Sequence, residues 1–393
     1  MVDLRYDILS IQERAVKRKA EGHDVINGCA GMLFEDDKTL CIYEDVNAKI
    51  EKSFRHYLAY PSVLGSDDYR EGVLSWLFRS DKEKIERRFQ VPFGVSLGGT
   101  GAISMAFSHY SRKNAIVLLP DIRWPNYDTI ADQCQIPFAL HRLLDEKGGL
   151  DIPSIRQALE TCLESHDTVL LVLNDPCQNP LGYCLSREEY ERLFDLLSEF
   201  GRKVVLLLDL AYVDYCPEGF LFKETLLSRK EIPFDCLVCF SASKSFGLYG
   251  LRLGALFGLM RKEEDIQPLL SDMKRIARGT YSCANNGAMG PLAEFFSDKD
   301  AMEKVEGKIH AESQRLNTIG KAVSALLDDL GIKHFPYKGG FYLTFSMANP
   351  IEFCKKLEEK DIFFAPIDDS HIRIAVSGLN EKEVAELGRR LSR

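Results

Sequence analysis

The chain has 393 residues, 45% hydrophobic and 28% charged, with a net charge of -9. That length allows two or three domains with their own cores, and an acidic balance without basic blocks excludes a nucleic-acid surface. No apolar run approaches the roughly 18–20 residues of a membrane span, and the amino-terminal MVDLRYDILSIQERAVKRKAEGHD is too charged for a signal peptide.

In chain order, the first clear signal is LGGTGA at 97–102, a Gly-rich turn leading into the helical ISMAFSHYSRK, with no evident strand before it. Candidate strands follow at AIVLLP (115–120), DTVLLVL (167–173), KVVLLLD (203–209), FDCLVCF (234–240) and LRLGALFGLM (251–260). Most are continuous Val/Leu-rich runs, as strands covered on both faces by helices require. SREEYERLFDLLSEFG reads as a helix, with Ser186 and Glu189 as a capping box and Gly201 as its stop. Strands alternating with helices predict an α/β fold, a three-layer α/β/α domain with a mainly parallel sheet.

After about residue 290 a long charged helical stretch runs from PLAEFF towards DDLG and is expected to be broken somewhere inside. The short strands GGFYLTFSM, DIFFAPI and HIRIAVSG and the helical EKEVAELGRRLSR then predict a smaller α+β domain. No repeat or low-complexity linker separates the two, so a cleft between packed domains is expected. Eleven cysteines, an odd number spread thinly, fit free thiols in a reducing, cytoplasmic setting. Cys236-Leu-Val-Cys239 lacks a second pair and lies in a strand, where i and i+3 face opposite sides. It predicts core residues, and no metal site is expected.

Ligands of open α/β sheets bind at the carboxyl ends of the strands, so the residues there are the candidates. Asp209 closes an apolar strand, a costly place for an acid without a partner; an exposed loop aspartate is the competing reading. Asn179-Pro180 with Gly182 is a turn signal, and its Asn can donate a hydrogen bond. The turn at Gly99 and Thr100 offers backbone N–H groups and a hydroxyl to a phosphate, and it lacks the third glycine of a dinucleotide fingerprint. Trp124 can stack on a planar ligand or simply pack. SASKSFGLYGLRLG (241–254) places Lys244 and Arg252 among small residues, as solvated turn cations or as ligand contacts. A phosphate cradle, an aromatic plate, an acid, a phenol, a lysine and an arginine together suit pyridoxal phosphate.

At this point SASKSFGLYGLRLGAL resembles the cofactor-lysine segment of class I aminotransferases, in the aspartate/aromatic branch of fold type I. YPSVLG (60–65), LGGTGA, Trp124, NPLG (179–182), DLAY (209–212), ARGTYS (277–282), GGFY (339–342) and RIAVSG (373–378) match in the family's order along nearly the whole chain. The resemblance implies a catalytic set of Lys244, which forms the Schiff base and moves the α-proton, Asp209 on the pyridine nitrogen and Tyr212 on the ring hydroxylate, shared with Asn179. It further implies Trp124 stacked on the ring and Gly99, Thr100, Ser241, Ser243 and Arg252 on the phosphate. Tyr60 is implied to reach the phosphate of the other subunit of a homodimer with shared active sites. Arg373 is implied on the substrate α-carboxylate, with Asn179 and Trp124 beside the substrate, and Arg278 on a distal carboxylate from the partner subunit.

The resemblance places a large cofactor-binding domain at 40–305 and a small domain at 1–39 and 306–393. It implies transfer of an amino group from aspartate, or next from aromatic amino acids, to a 2-oxo acid, 2-oxoglutarate first, by a ping-pong cycle. Partners are then small molecules and a second copy of the chain, with no nucleic acid or membrane. Four departures stand out. Tyr127 replaces a histidine that supports the pyridinium aspartate, Gly98 replaces a serine in the phosphate loop, and CANNGA replaces an Asn-Pro-Pro turn. INGCAGMLFEDD matches the substrate-capping segment only loosely. The competing functions are β-lyase or decarboxylase chemistry on the same cofactor, a non-catalytic regulatory protein of this fold, and an NAD-dependent dehydrogenase.

Overall fold

The computed structural model describes residues 8–391. The first seven residues of the charged amino-terminal segment and the last two of the expected small domain lie outside them. Among the described residues, twelve strands run as β1 (Ile26–Asn27), β2 (Phe93–Ser96), β3 (Ala115–Pro120), β4 (Phe138–His141), β5 (Thr168–Asn174), β6 (Val204–Asp209), β7 (Asp235–Ser241), β8 (Gly254–Leu259), β9 (Tyr342–Ser346), β10 (Ile362–Phe363), β11 (Ala365–Pro366) and β12 (His371–Ala375).

Seven of these form the central sheet, in the order β2-β8-β7-β6-β5-β3-β4. β4, β3, β5, β6 and β7 pair in parallel, while β8 is antiparallel to both of its neighbours. The all-apolar runs are buried end to end because each face feeds a different core. Leu206 and Leu208 pack into one cluster, and Val205 and Leu207 into the other. Cys236 and Cys239 divide in the same way, one to each face, so this CxxC supplies two small core residues. The helix Arg187–Phe200 begins on the expected capping box. Ser186 Oγ accepts from Glu189 N at 3.2 Å, and Glu189 Oε2 accepts from Ser186 N at 2.8 Å.

Strands β1, β2 and β4 were not anticipated, and β2 bears on the site. The LGGTGA turn is preceded by a strand, β2, of four residues, paired antiparallel with β8 at the sheet edge. With a glycine inside and so few residues, it carries no readable period. The helix Gly98–Tyr110 then crosses to β3, which is not its neighbour in the sheet, so no dinucleotide-binding βαβ unit forms.

The long helical stretch breaks at Ser297 and Asp298. The helix Asn286–Phe296 ends there, and the Asp298 side chain caps the 31-residue helix Lys299–Asp329 by accepting from Ala301 N at 3.1 Å. Beyond it, β9, β12 and β11 form an antiparallel sheet. The amino-terminal segment joins this part of the chain. β1 pairs with β10, the helix Ile8–Ala20 packs Ile11 and Ala15 against Phe363, and Arg14 Nη2 meets Glu358 at 2.7 Å. Among the described residues no helix is long and apolar enough to cross a membrane.

Candidate active site

The parallel register brings three strand ends into line. Asn174 of β5 lies beside Asp209 of β6, which lies beside Cys239 of β7, two residues short of Ser241. At the other side, Gly254 of β8 faces both Ser96 and Ser241. A Cβ at Gly254 would stand 2.5 Å from Phe240 O and 2.7 Å from Gly98 C, so only glycine lets these three segments converge. They border a cleft of about 410 Å³.

At one end of this cleft, the Gly98–Tyr110 helix presents Gly99 and Thr100. Arg252 Nη1 donates to Ser243 Oγ at 3.0 Å and to Tyr249 O at 2.9 Å. Its guanidinium lies against Gly98, where a Cβ would come within 2.6 Å of Nη2. The departure from serine at Gly98 thus makes room for the arginine. Ser241 Oγ accepts from Ser243 N at 3.4 Å.

In the middle stands Lys244, on the short helix Ala242–Ser245 after β7. Its Nζ donates to Gly31 O and lies 4.8 Å from the Tyr249 ring and 5.5 Å from the Phe341 ring. Burial, with the Arg373 and Arg252 cations nearby, pulls its pKa below the ordinary lysine value. Asp209, also buried, accepts from Tyr127 OH at 2.6 Å and from Ala211 N at 3.1 Å. Burial pushes this carboxyl up, and the two donors oppose the shift. Tyr212 donates its hydroxyl to Tyr342 at 3.3 Å. Trp124, between β3 and the helix Asn126–Cys134, closes the wall edge-on to Tyr127 at 5.4 Å.

Arg373 of β12 occupies the far end, buried. It donates to Asn179 Oδ1 at 3.1 Å and to Cys29 O at 3.2 Å, and stacks 4.2 Å from the Tyr342 ring. Its Nε has no partner. Among the described residues no carboxylate pairs with Lys244, Arg252 or Arg373, and no cation with Asp209. Buried charges need partners, so the cleft is built for a ligand with an anionic group at each end and a cationic group between. Pyridoxal phosphate with an amino-acid carboxylate has that pattern, and the residues present fit it.

Eleven of the thirteen residues singled out from sequence line this cleft. Tyr60 and Arg278 do not. Tyr60 is 91% exposed, and Arg278 ends the helix Ile266–Thr280 at the surface, donating to Ser282 Oγ at 2.8 Å. Among the lining residues without an assigned role, three polar ones shape the site. Asn174 holds the site together, donating to Asp209 O at 3.0 Å and accepting from Asn179 N at 2.8 Å. Tyr249 accepts from Leu33 N at 3.0 Å, and Tyr342 packs on Gly31, where a Cβ would lie 2.0 Å from its hydroxyl. Ala30, Gly31 and Met32 of the loosely matching amino-terminal segment also reach the cleft.

The sequence model of the family described as aminotransferase class I and II matches residues 23–391. The mitochondrial aspartate aminotransferase of Saccharomyces cerevisiae is 23% identical over 360 residues, covering 83% of this chain and 78% of its own. Among solved structures, an aminotransferase from Anaerococcus prevotii superposes with a TM-score of 0.90 at 24% identity, over 98% of this chain and 95% of its own. An aromatic-amino-acid aminotransferase from Burkholderia pseudomallei, covalently bound to pyridoxal phosphate, superposes with a TM-score of 0.82 at 20% identity, over 98% and 96%.

Proposed function

Because the chain belongs to the class I and II aminotransferases, and is a pyridoxal-phosphate-dependent enzyme of that family, we propose that it transfers the amino group of aspartate, and next of aromatic amino acids, to 2-oxoglutarate. The observation that carries this reading is the Arg373 guanidinium, buried without an acid and with Nε unpaired, at the far end of a cleft whose other end holds Arg252. Two separated cations match a cofactor phosphate and a substrate carboxylate.

When bound, pyridoxal phosphate supplies an aldehyde that takes up the amine and a ring that accepts electrons from the substrate Cα. The chain's own residues do the rest. Arg252, Ser241, Ser243, Gly99 and Thr100 hold the phosphate, the last two through a helix N-terminus. Asp209, backed by Tyr127, keeps a proton on the ring nitrogen. Tyr212 and Asn179 share the ring oxygen, and Trp124 covers the ring face. Lys244 Nζ, whose pKa burial and the neighbouring cations lower, would take up and return the substrate Cα proton. Arg373 orients the α-carboxylate so that the Cα proton faces Lys244. Donor and acceptor use the same cleft in turn.

A second copy completes the site in this reading. Tyr60 and Arg278 do not line their own cleft, and Phe54 and Leu58, close to Tyr60 in the chain, are 46% and 68% exposed. We assign them to a homodimer in which Tyr60 reaches the partner's phosphate and Arg278 the distal carboxylate of its substrate. Residues 40–305 form the cofactor domain, and 1–39 with 306–393 form a part that closes on substrate and excludes water. The helix Lys299–Asp329 runs through that boundary. A cytoplasmic setting is supported by the eleven unpaired thiols.

The test is a panel of amino donors against 2-oxoglutarate, scored as glutamate formed per donor consumed. Highest kcat/KM with aspartate is expected. Release of ammonia or carbon dioxide in place of glutamate would move the assignment to lyase or decarboxylase chemistry.

A further inference from the structure

Away from the cleft, three thiols converge. Cys177 and Cys184 flank the Asn179 turn, and Cys216 follows the Tyr212 segment. Their sulfurs all lie within 4.8 Å of one another, with Cys177 Sγ 3.6 Å from Cys184 Sγ. Two thiolates on a tetrahedral zinc ion, each at about 2.3 Å, stand about 3.8 Å apart, so this pair already has the spacing of two ligands. Cys177 and Cys184 are buried, while Cys216 is part-exposed and opens on a separate surface cleft of about 300 Å³. That cleft gives an ion a way in and a vacant direction.

The sulfurs are already linked by hydrogen bonds that a bound ion would replace. Cys177 N donates to Cys184 Sγ at 3.3 Å. Cys216 accepts from the other two thiols, Cys177 first, and from the backbone N–H groups of Glu218 and Gly219, which lowers its pKa. Burial and the bond to Cys216 instead push Cys177 and Cys184 well above the ordinary thiol value, so the ion itself must displace their protons. Lys338 Nζ donates to Cys184 O at 2.9 Å and lies 3.7 Å from Glu189 Oε2, fixing the Cys184 backbone in place. N–H donors to sulfur are the outer-shell contacts that orient ligating thiolates.

We propose that Cys177, Cys184 and Cys216 form a three-thiolate site for a thiophilic divalent cation of the zinc class, with a water in the fourth position on the Cys216 side. Three sulfur–metal bonds form, the remaining thiol protons pass to solvent, and nothing is oxidised. The ion would tie together segments that also shape the active site. Cys177 lies two residues before Asn179, and Cys216 four after Tyr212. Gly340 packs so closely on Cys177 that a Cβ there would lie 2.4 Å from the cysteine Cβ.

The test uses reduced, metal-free holoenzyme titrated with cadmium ion, read by thiolate-to-cadmium charge-transfer absorption. Saturation at one ion per chain, competition by zinc, and loss of the band in C184S and C216S are expected. C134S, which removes a thiol at another place, should leave the band intact. Circular dichroism and the cofactor absorption band check that the variants fold. For the unmutated protein, zinc should protect Cys177, Cys184 and Cys216 from alkylation, as mapped by peptide mass. An absent band, a band surviving in correctly folded C216S, or protection mapping to other cysteines would overturn the proposal. So would a Cys177–Cys184 disulfide in freshly purified protein.

Discussion

Tyr127 donates its hydroxyl to Asp209 Oδ2 across 2.6 Å, tying the helix after β3 to the end of β6. Removing that donor leaves a buried carboxylate with only the Ala211 N–H to counter burial, so the Asp209 carboxyl rises further. Y127F should therefore shift the acid limb of the kcat/KM profile to higher pH and cost about tenfold in kcat/KM, the scale of one hydrogen bond to a charged group. Y127H, which restores a donor, should recover most of the loss. A pH profile of both variants decides the matter.

Lys244 links function to stability. Its amine is buried near two arginines, and its pKa lies below the ordinary 10.5. Below that lowered value both folded and unfolded chains hold the proton, and the folded chain bears the full cost of burying it. The cost fades as pH rises through the folded value towards 10.5. K244M in cofactor-free protein should thus melt higher than wild type, most at low pH and least in alkali. The same variant should lose about 10²–10⁴-fold in transamination.

The proposed phosphate grip depends on a glycine. Gly98 has φ +68, and a Cβ there would meet the Arg252 guanidinium. G98A is expected to displace that side chain and weaken cofactor binding by about tenfold. R252A should weaken it by roughly 10–100-fold, the value of a charge-assisted contact. R252K should fall between, since lysine offers a point charge without the fork. Fluorescence titration of cofactor-free protein measures all three.

Hybrid dimers test the placement of Arg278. R278A should lower kcat/KM for aspartate by about 10²-fold and spare phenylalanine, while R373A lowers both. Mixing R278A with K244A chains should then restore one working site per hybrid dimer, in which Lys244 comes from one chain and Arg278 from the other. No recovery on mixing would place Arg278 outside the partner's site.

The sequence made the strands that build the cofactor end legible, because continuous apolar runs ending in Asp209, or leading into Ser241 and Lys244, have few other uses. Other residues were silent for physical reasons. Asn174 looks like the polar end of any strand, and its bridge between Asp209 and Asn179 exists only through the β5–β6 register. β2 was too short and too Gly-rich to show a period. Tyr342 and Gly31 lie far apart in the chain, and their contact depends on the amino-terminal segment folding back over the cleft. The thiol cluster spans Cys177 to Cys216 with no metal-ligand spacing, so only the fold discloses it.

The reversal of β8 has a further effect on how this site can change over time. A parallel β7–β8 connection would deliver the start of the next strand to the opposite rim of the sheet. The antiparallel return instead brings Arg252 back to the rim that Lys244 has just left, within one continuous loop between Ser241 and Gly254. Lys244 and Arg252, the proposed anchoring amine and phosphate cation, therefore travel as a single cassette. A graft or swap of that loop would carry both together, and recombination elsewhere in the chain could remodel substrate choice without separating them.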